Sequence, residues 1–114
     1  MAIKIIITRE DEHHLTGVIE GHPGAVVHRV KKASTAIGLL AINNKKLFSI
    51  RETEFAKEGF AVVKQEGKHG TFASVNGRPD MEPEYAESFE TALGQLIKKH
   101  QEKFNIAKIE HHGK

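Results

Sequence analysis

The sequence contains no cysteine and no tryptophan, and only 6% of its 114 residues are aromatic, as six phenylalanines and one tyrosine. Without cysteine, disulfide bonds, thiolate metal sites and cysteine nucleophiles are all excluded. The few aromatic residues leave little material for base stacking, and Phe72 is the only one that lies well within a predicted strand.

Long apolar runs are also missing. No stretch approaches the roughly 18 apolar residues of a membrane span, and Met1-Ala2-Ile3-Lys4 leads into a strand without the apolar region of a signal peptide. We therefore expect a cytoplasmic protein that does not contact a membrane. The net charge of +2 is too small to indicate nucleic-acid binding by itself.

The chain contains one motif twice. Thr35-Ala36-Ile37-Gly38-Leu39-Leu40 returns as Thr91-Ala92-Leu93-Gly94-Gln95-Leu96, an offset of 56 residues. The same offset relates further identical residues: Glu10 and Glu66, His13 and His69, Gly21 and Gly77, Pro23 and Pro79, Phe48 and Phe104, Ile50 and Ile106, Glu54 and Glu110. This register also places Ile5-Ile6-Ile7 over Ala61-Val62-Val63. It predicts two repeats, residues 1–57 and 58–114, in one compact domain with pseudo-twofold symmetry.

Each repeat has the predicted order strand, strand, strand, helix, short strand. The strands are expected at 3–8, 14–20, 25–30 and 48–52, and again at 60–64, 71–75, 81–85 and 105–110. The helices are expected at 34–46, with Ser34 or Thr35 as N-cap, and at 88–103. Strands grouped before a helix favour an α+β fold with antiparallel strands, in which the two helices lie on one face of the sheet or between two small sheets.

The repeats share their motifs with a known family. The Gly67-Lys68-His69-Gly70 hairpin, the strand Thr71–Val75, the Pro23-Gly24 turn and the helix start Ser88–Leu93 resemble the HicB family. That resemblance implies the fold of HicB-like units and a role as a binding module, as in antitoxins that engage a small toxin protein.

The chain departs from the HicB pattern at three points. Asp80 follows Pro79 where the family has glycine, and the acidic residue before the helix alanine is replaced by Ser34-Thr35 or moved to Glu90. A helix-turn-helix or ribbon-helix-helix segment does not follow the second repeat, so the DNA-binding tail of full antitoxins is not expected.

Catalytic motifs are not evident. There is no Gly-x-Ser-x-Gly nucleophile motif and no phosphate-binding glycine loop before a helix. His13 and His69 occupy equivalent turn positions, where solvated side chains are a simpler interpretation than a shared metal. Acidic residues before the second helix favour its dipole without catalysis: Asp80, Glu82, Glu84 and Glu87. We expect neither an enzyme nor a cofactor.

Helix one has an apolar excess. Leu39 and Ile42 extend its apolar surface, whereas helix two has Gln95 and Lys98 at the corresponding positions. Apolar surface of this kind marks interaction sites. Leu39 and Ile42 are therefore the predicted partner-binding residues, and they are expected to pack against the linker, a second subunit or a small toxin-like protein.

The alternative hypothesis is an RNA- or DNA-binding protein that uses basic residues near the helix ends. Lysines at a helix C-terminus also complement the helix dipole, so the pattern is not specific for nucleic acid. The residues that would carry such binding are Arg29, Lys31, Lys32, Lys45, Lys46, Lys98 and Lys99.

Overall fold

The computed structural model describes residues 2–53 and 55–113. Glu54, in the segment predicted to link the two repeats (residues 53–59), therefore lies outside the described residues. The described chain is an α+β fold with seven strands and two helices, in the order β1 Ile3–Arg9, β2 Leu15–Ile19, β3 His22–Val30, α1 Ala33–Asn43, β4 Val62–Glu66, β5 Thr71–Val75, β6 Glu84–Ala86, α2 Phe89–Lys99 and β7 Ile106–His112.

The strands form two sheets. Sheet one has the order β3-β2-β1-β7 and sheet two has the order β4-β5-β6. All pairs are antiparallel except β1 with β7, which run parallel from Ile3 opposite Ile106 to Thr8 opposite His112. The expectation that all strands pair antiparallel is therefore corrected. Parallel strands cannot be joined by a tight turn. Here the rest of the chain, from β2 to α2, separates β1 from β7, so that both strands start at the same end of the sheet.

The domain is about two layers thick, since its shortest principal extent is 21 Å. One sheet layer and one helix layer each take roughly 10 Å. Helix α1 packs on β2 and β3, helix α2 packs on β5 and β6, and the helices contact each other. Alternation along the strands directs Ile3, Ile5 and Ile7 into a core shared by both helices.

The two helices meet at their glycines. A Cβ atom on Gly38 would lie 1.7 Å from the carbonyl oxygen of Glu90, and one on Gly94 would lie 1.7 Å from that of Ser34. Beside this contact the hydroxyls of Thr35 and Thr91 are 2.6 Å apart and share a hydrogen bond. Glycine at these positions lets the two helix backbones touch.

The helix N-termini differ from each other. Ser88 caps α2, since its Oγ accepts a hydrogen bond from the Thr91 N–H at 3.3 Å. The expectation of Ser34 or Thr35 as the cap of α1 is wrong, because the backbone is already helical from Ala33 and Lys32 holds the cap position without a side-chain hydrogen bond. Thr35 uses its hydroxyl on Thr91 instead.

Two predicted strands are also corrected. Residues 45–48 form a short 3₁₀ turn that ends at Ser49 in a left-handed conformation (φ 59°), and only Ile50 makes a strand contact, a parallel bridge to Phe60. The predicted strand at 81–85 is shifted to Glu84–Ala86, because Met81 turns inward and is only 2% exposed.

Candidate functional site

The helix-one residues predicted to bind a partner are half-buried. Leu39 and Ile42 both pack against the core. Ile42 lines a cavity of about 180 Å³ between the two halves of the chain, together with Val62, Phe89 and Leu93. The apolar excess of α1 is thus partly covered by the second half of the same chain, a neighbour that the sequence did not identify.

The predicted nucleic-acid-binding lysines line different surface depressions. Lys45 lines the same 180 Å³ cavity, Lys46 lies on the 3₁₀ turn beside residues 56–59, and Lys98 and Lys99 lie at the end of α2. Arg29 is exposed, in a left-handed conformation (φ 55°) on the outermost strand of sheet one.

Lys31 and Lys32 do come together with other cations. They line an open cleft of about 420 Å³ with Arg9, His111 and His112, which we call the basic cleft. The sequence pattern does not single out these last three residues, because they lie at the far ends of β1 and β7. No acidic side chain is among the described residues that line the cleft.

Sheet two carries an exposed apolar surface on the side away from the helices. Phe72 on β5 lies opposite Tyr85 on β6, and Val63 lies on the same face of β4. Their side chains are 37%, 44% and 41% exposed. Thr71, Ala73 and Val75 on the other face of β5 are buried. Val63, Phe72 and Tyr85 are the aromatic patch.

The two rings of the aromatic patch are held by each other and by the β4–β5 turn. Their centroids are 4.6 Å apart at an angle of 52°. A Cβ atom on Gly70 would lie 2.8 Å from the Tyr85 ring, and one on Gly67 would lie 3.1 Å from the same ring. The glycines of the Gly-Lys-His-Gly hairpin thus leave room for Tyr85, which fixes an exposed ring in place.

Three of the acidic residues before α2 each contact a different cation. Arg78 lowers the pKa of Asp80 to about 2 through hydrogen bonds from its guanidinium. Lys32 hydrogen-bonds Glu87 at 2.7 Å and lowers its pKa. Lys99 contacts Glu84 at 2.8 Å. These carboxylates are spread among separate cations and do not converge on one point.

Two histidine side chains lie close to carboxylates. His14 Nδ1 is 2.9 Å from Asp11, and His112 Nε2 is 3.0 Å from Glu110. Within residues 2–53 and 55–113, no group of three or more histidine or acidic side chains is placed to hold a metal ion.

Glu110 links the first strand to the last. The Lys4 ammonium lies 2.6 Å from Glu110 and 3.3 Å from Glu20, and Lys108 lies 3.4 Å from Glu110. Hydrogen bonds from Lys4, and then from His112, lower the pKa of Glu110 to about 2. The contact joins β1 to β7 on the outer face of sheet one.

We expect Glu110→Gln to lower the melting temperature at pH 7. Because the folded-state pKa lies below the ordinary value of 4.5, the ionised carboxylate stabilises the fold above that value, and this stabilisation is lost as the pH falls towards 2. The difference between the variant and the wild type should therefore shrink between pH 5 and pH 2 in thermal melts. Glu102→Gln, at an exposed position, is the matched control. A difference that stayed constant over this range would contradict the role of the ionised group.

Comparison with family models, curated proteins and solved structures finds no significant match to this chain. None of the helices in the described residues is long and apolar enough to cross a membrane.

Proposed function

We propose that this chain is a non-catalytic, HicB-like binding module that engages a protein partner through the aromatic patch. The observation that carries the proposal is the exposure of Val63, Phe72 and Tyr85 side by side on one sheet face. Aromatic side chains on a preorganised surface are typical anchors of protein interfaces. The antitoxin-like version, in which the partner is a small toxin-like protein, rests on the motif resemblance.

We also propose that the domain arose as two repeats related by a pseudo-twofold axis. Several equivalent contacts support this: Gly38 and Gly94 each touch the other helix, and the Thr35 and Thr91 hydroxyls meet each other. Ser49 and Asn105 share a left-handed conformation, as do Gly21 and Gly77. Each half also pairs the segment after its helix, Ile50 or Ile106, with the first strand segment of the other half.

The register of the repeats needs one adjustment. Ile5 lies opposite Ile19 and Val62 lies opposite Val75, so β1 corresponds to β4 with an offset of 57 residues, not 56. The prediction that places Ile5-Ile6-Ile7 over Ala61-Val62-Val63 is therefore shifted by one. The first hairpin turn, residues 10–14, is one residue longer than the second, residues 67–70, which restores the offset of 56 from β2 onward.

The adjusted repeat alignment indicates that the two rings of the aromatic patch are not required for folding. Thr16 and Arg29 take the positions of Phe72 and Tyr85 in the first half. Both halves form their sheets, so the fold does not require aromatic side chains there. The difference between the halves favours a function for the second.

Replacement of both rings should abolish partner capture. We expect Phe72→Ser with Tyr85→Ser to weaken binding at least about thirtyfold, since the loss of one central anchor costs on the order of 2 kcal/mol. The measurement is affinity capture from the native cell with wild type and variant as bait, followed by titration of the purified captured protein. Phe55→Ser removes another exposed ring, 85% exposed, outside the sheets, and serves as the control.

Three results would contradict the proposal: capture of the same protein by the double variant, equal loss in Phe55→Ser, or capture of RNA alone.

Light scattering tests whether the partner is a second copy, because a dimer would double the measured mass. Leu39→Glu tests the helix-one hypothesis in parallel. If the chain instead binds nucleic acid through its lysines, the amount of nucleic acid captured should fall steeply as the salt concentration rises.

A further inference from the structure

The carboxyl ends of three strands lie at the same end of sheet one. β1 and β7 are parallel, and β3 runs in the same direction because both it and β1 are antiparallel to β2. Arg9 ends β1, Lys31 and Lys32 follow β3, and His111 and His112 end β7. Basic residues from three separate segments of the chain are therefore brought together at this end of the sheet.

The side chains that line the cleft are basic, and the carboxylates beside them, Glu87 at Lys32 and Glu110 at His112, lie outside its lining. The basic cleft contains three permanent cations and two histidines, and no carboxylate is found among the described residues that line it. The chain as a whole is almost balanced, with 17 basic and 15 acidic residues. Side chains of one sign that line a concave surface focus the field and attract ligands of opposite charge.

Two of the cations have groups free for a ligand. Lys31 is exposed and lies in no ion pair with a described residue. The Arg9 guanidinium is half-buried and donates to the carbonyl oxygens of Asp11 and Glu12, which orients it without neutralising its charge. Lys32 is already paired with Glu87 at 2.7 Å, so it is the weaker contributor.

The size and floor of the cleft limit the ligand. Its volume of about 420 Å³ lies within the range typical of small-ligand sites, roughly 300–1,000 Å³. Ile7 and Leu15 form an apolar floor beside the cations. Oriented guanidinium and ammonium groups above an apolar floor suit a phosphate ester that carries a flat or apolar group.

We propose that the basic cleft binds the phosphate group of a phosphorylated ligand, with Arg9 and Lys31 as its principal contacts. The ligand is either a free nucleotide or the 5′-phosphorylated end of a nucleic-acid strand, and the phosphate is common to both. This site is distinct from the aromatic patch, so it does not depend on the proposed protein partner.

The test is a titration of the ¹⁵N-labelled full chain, followed by amide chemical shifts. The probes are inorganic pyrophosphate, adenosine monophosphate, and one short RNA with either a 5′-phosphate or a 5′-hydroxyl. We expect shifts confined to Arg9, the residues 31–33 and the end of β7. A preference for the mononucleotide or for the phosphorylated RNA end identifies the source of the phosphate.

Lys31→Glu should weaken binding of the preferred probe about tenfold or more, because it places a negative charge where the phosphate lies. Lys31→Gln should give a smaller loss. Lys57→Glu makes the same change of charge at an exposed lysine outside the cleft and should bind as the wild type does. Lys31 and Lys57 are both exposed, and the melting temperature of each variant verifies that it is folded.

The proposal is overturned by no shift with any probe at millimolar concentration, by shifts centred elsewhere, or by an equal loss in Lys57→Glu. An equal affinity of the 5′-phosphate and 5′-hydroxyl RNAs, without binding of pyrophosphate or the mononucleotide, also overturns it. That result would indicate contacts along the strand and not a terminal phosphate. The Phe72→Ser and Tyr85→Ser variant should bind the phosphate probe normally, which separates this site from the aromatic patch.

Discussion

Gly38→Ala is expected to destabilise the protein by at least about 3 kcal/mol. A methyl group at this position would lie 1.7 Å from the Glu90 carbonyl oxygen, far inside van der Waals contact. The obstacle is backbone, so no side-chain rotation can relieve it, and the two helices would have to move apart. Overpacking of cores costs roughly 1–3 kcal/mol even where side chains can adjust, and a backbone obstacle lies at or beyond the upper end.

Urea unfolding followed by circular dichroism measures this loss, and thermal melts should show a fall in Tm on the order of 10–20 °C. Gly24→Ala is the matched control, because a Cβ atom there meets nothing within 4 Å. An unchanged free energy of unfolding in Gly38→Ala would show that the helices are not in backbone contact.

The same substitution at Gly94 tests the repeat proposal. Its methyl group would lie 1.7 Å from the Ser34 carbonyl oxygen, the counterpart of the Glu90 contact. If the two helices are related by a pseudo-twofold axis, Gly38→Ala and Gly94→Ala should cost similar amounts. A large effect at one glycine and none at the other would argue against equivalent roles.

Helices and hairpins could be predicted here because local sequence determines them. The strand Thr71–Val75 was predicted with its observed bounds, and Ser88 begins α2 as its cap. The repeated Thr-Ala-x-Gly motif was predicted from sequence to mark two repeats, and its glycines lie at the contact between the two helices. The parallel partnership of β1 with β7 could not be predicted, because it joins the two ends of the chain and no local pattern records it.

The surfaces were harder to predict than the core. Val63 ends the apolar run at residues 60–63, a pattern typical of a buried strand. Tyr85 lies two residues after Pro83, in a weak strand pattern. Their exposure depends on which sheet face the helices cover, which only the tertiary structure decides. The basic cleft combines residues from β1, from the segment after β3 and from β7. Of the residues that line it, the sequence indicated only Lys31 and Lys32, as two cations among several.

Phe104→Ala is expected to cost about 3–5 kcal/mol, the usual range for loss of a buried ring. Phe104 is 0% exposed, and its ring packs edge-to-face on Phe60 with 5.3 Å between centroids. It stands just before β7, which is an outer strand of sheet one. Denaturant unfolding measures the loss, and Phe55→Ala, at a ring 85% exposed, should change stability by less than about 0.5 kcal/mol.

Phe48→Ala removes the corresponding buried ring of the first half, which is also 0% exposed, yet only a single bridge at Ile50 follows it. Both variants should lose similar global stability, because both leave a cavity in the same core. Native-state hydrogen exchange should nevertheless differ, since only Phe104 anchors the start of a seven-residue strand. Faster exchange of the β1 and β7 amides in Phe104→Ala, but not in Phe48→Ala, would show that the ring holds the last strand onto the first. Equal exchange in both variants would mean that β7 is held by its own pairing with β1.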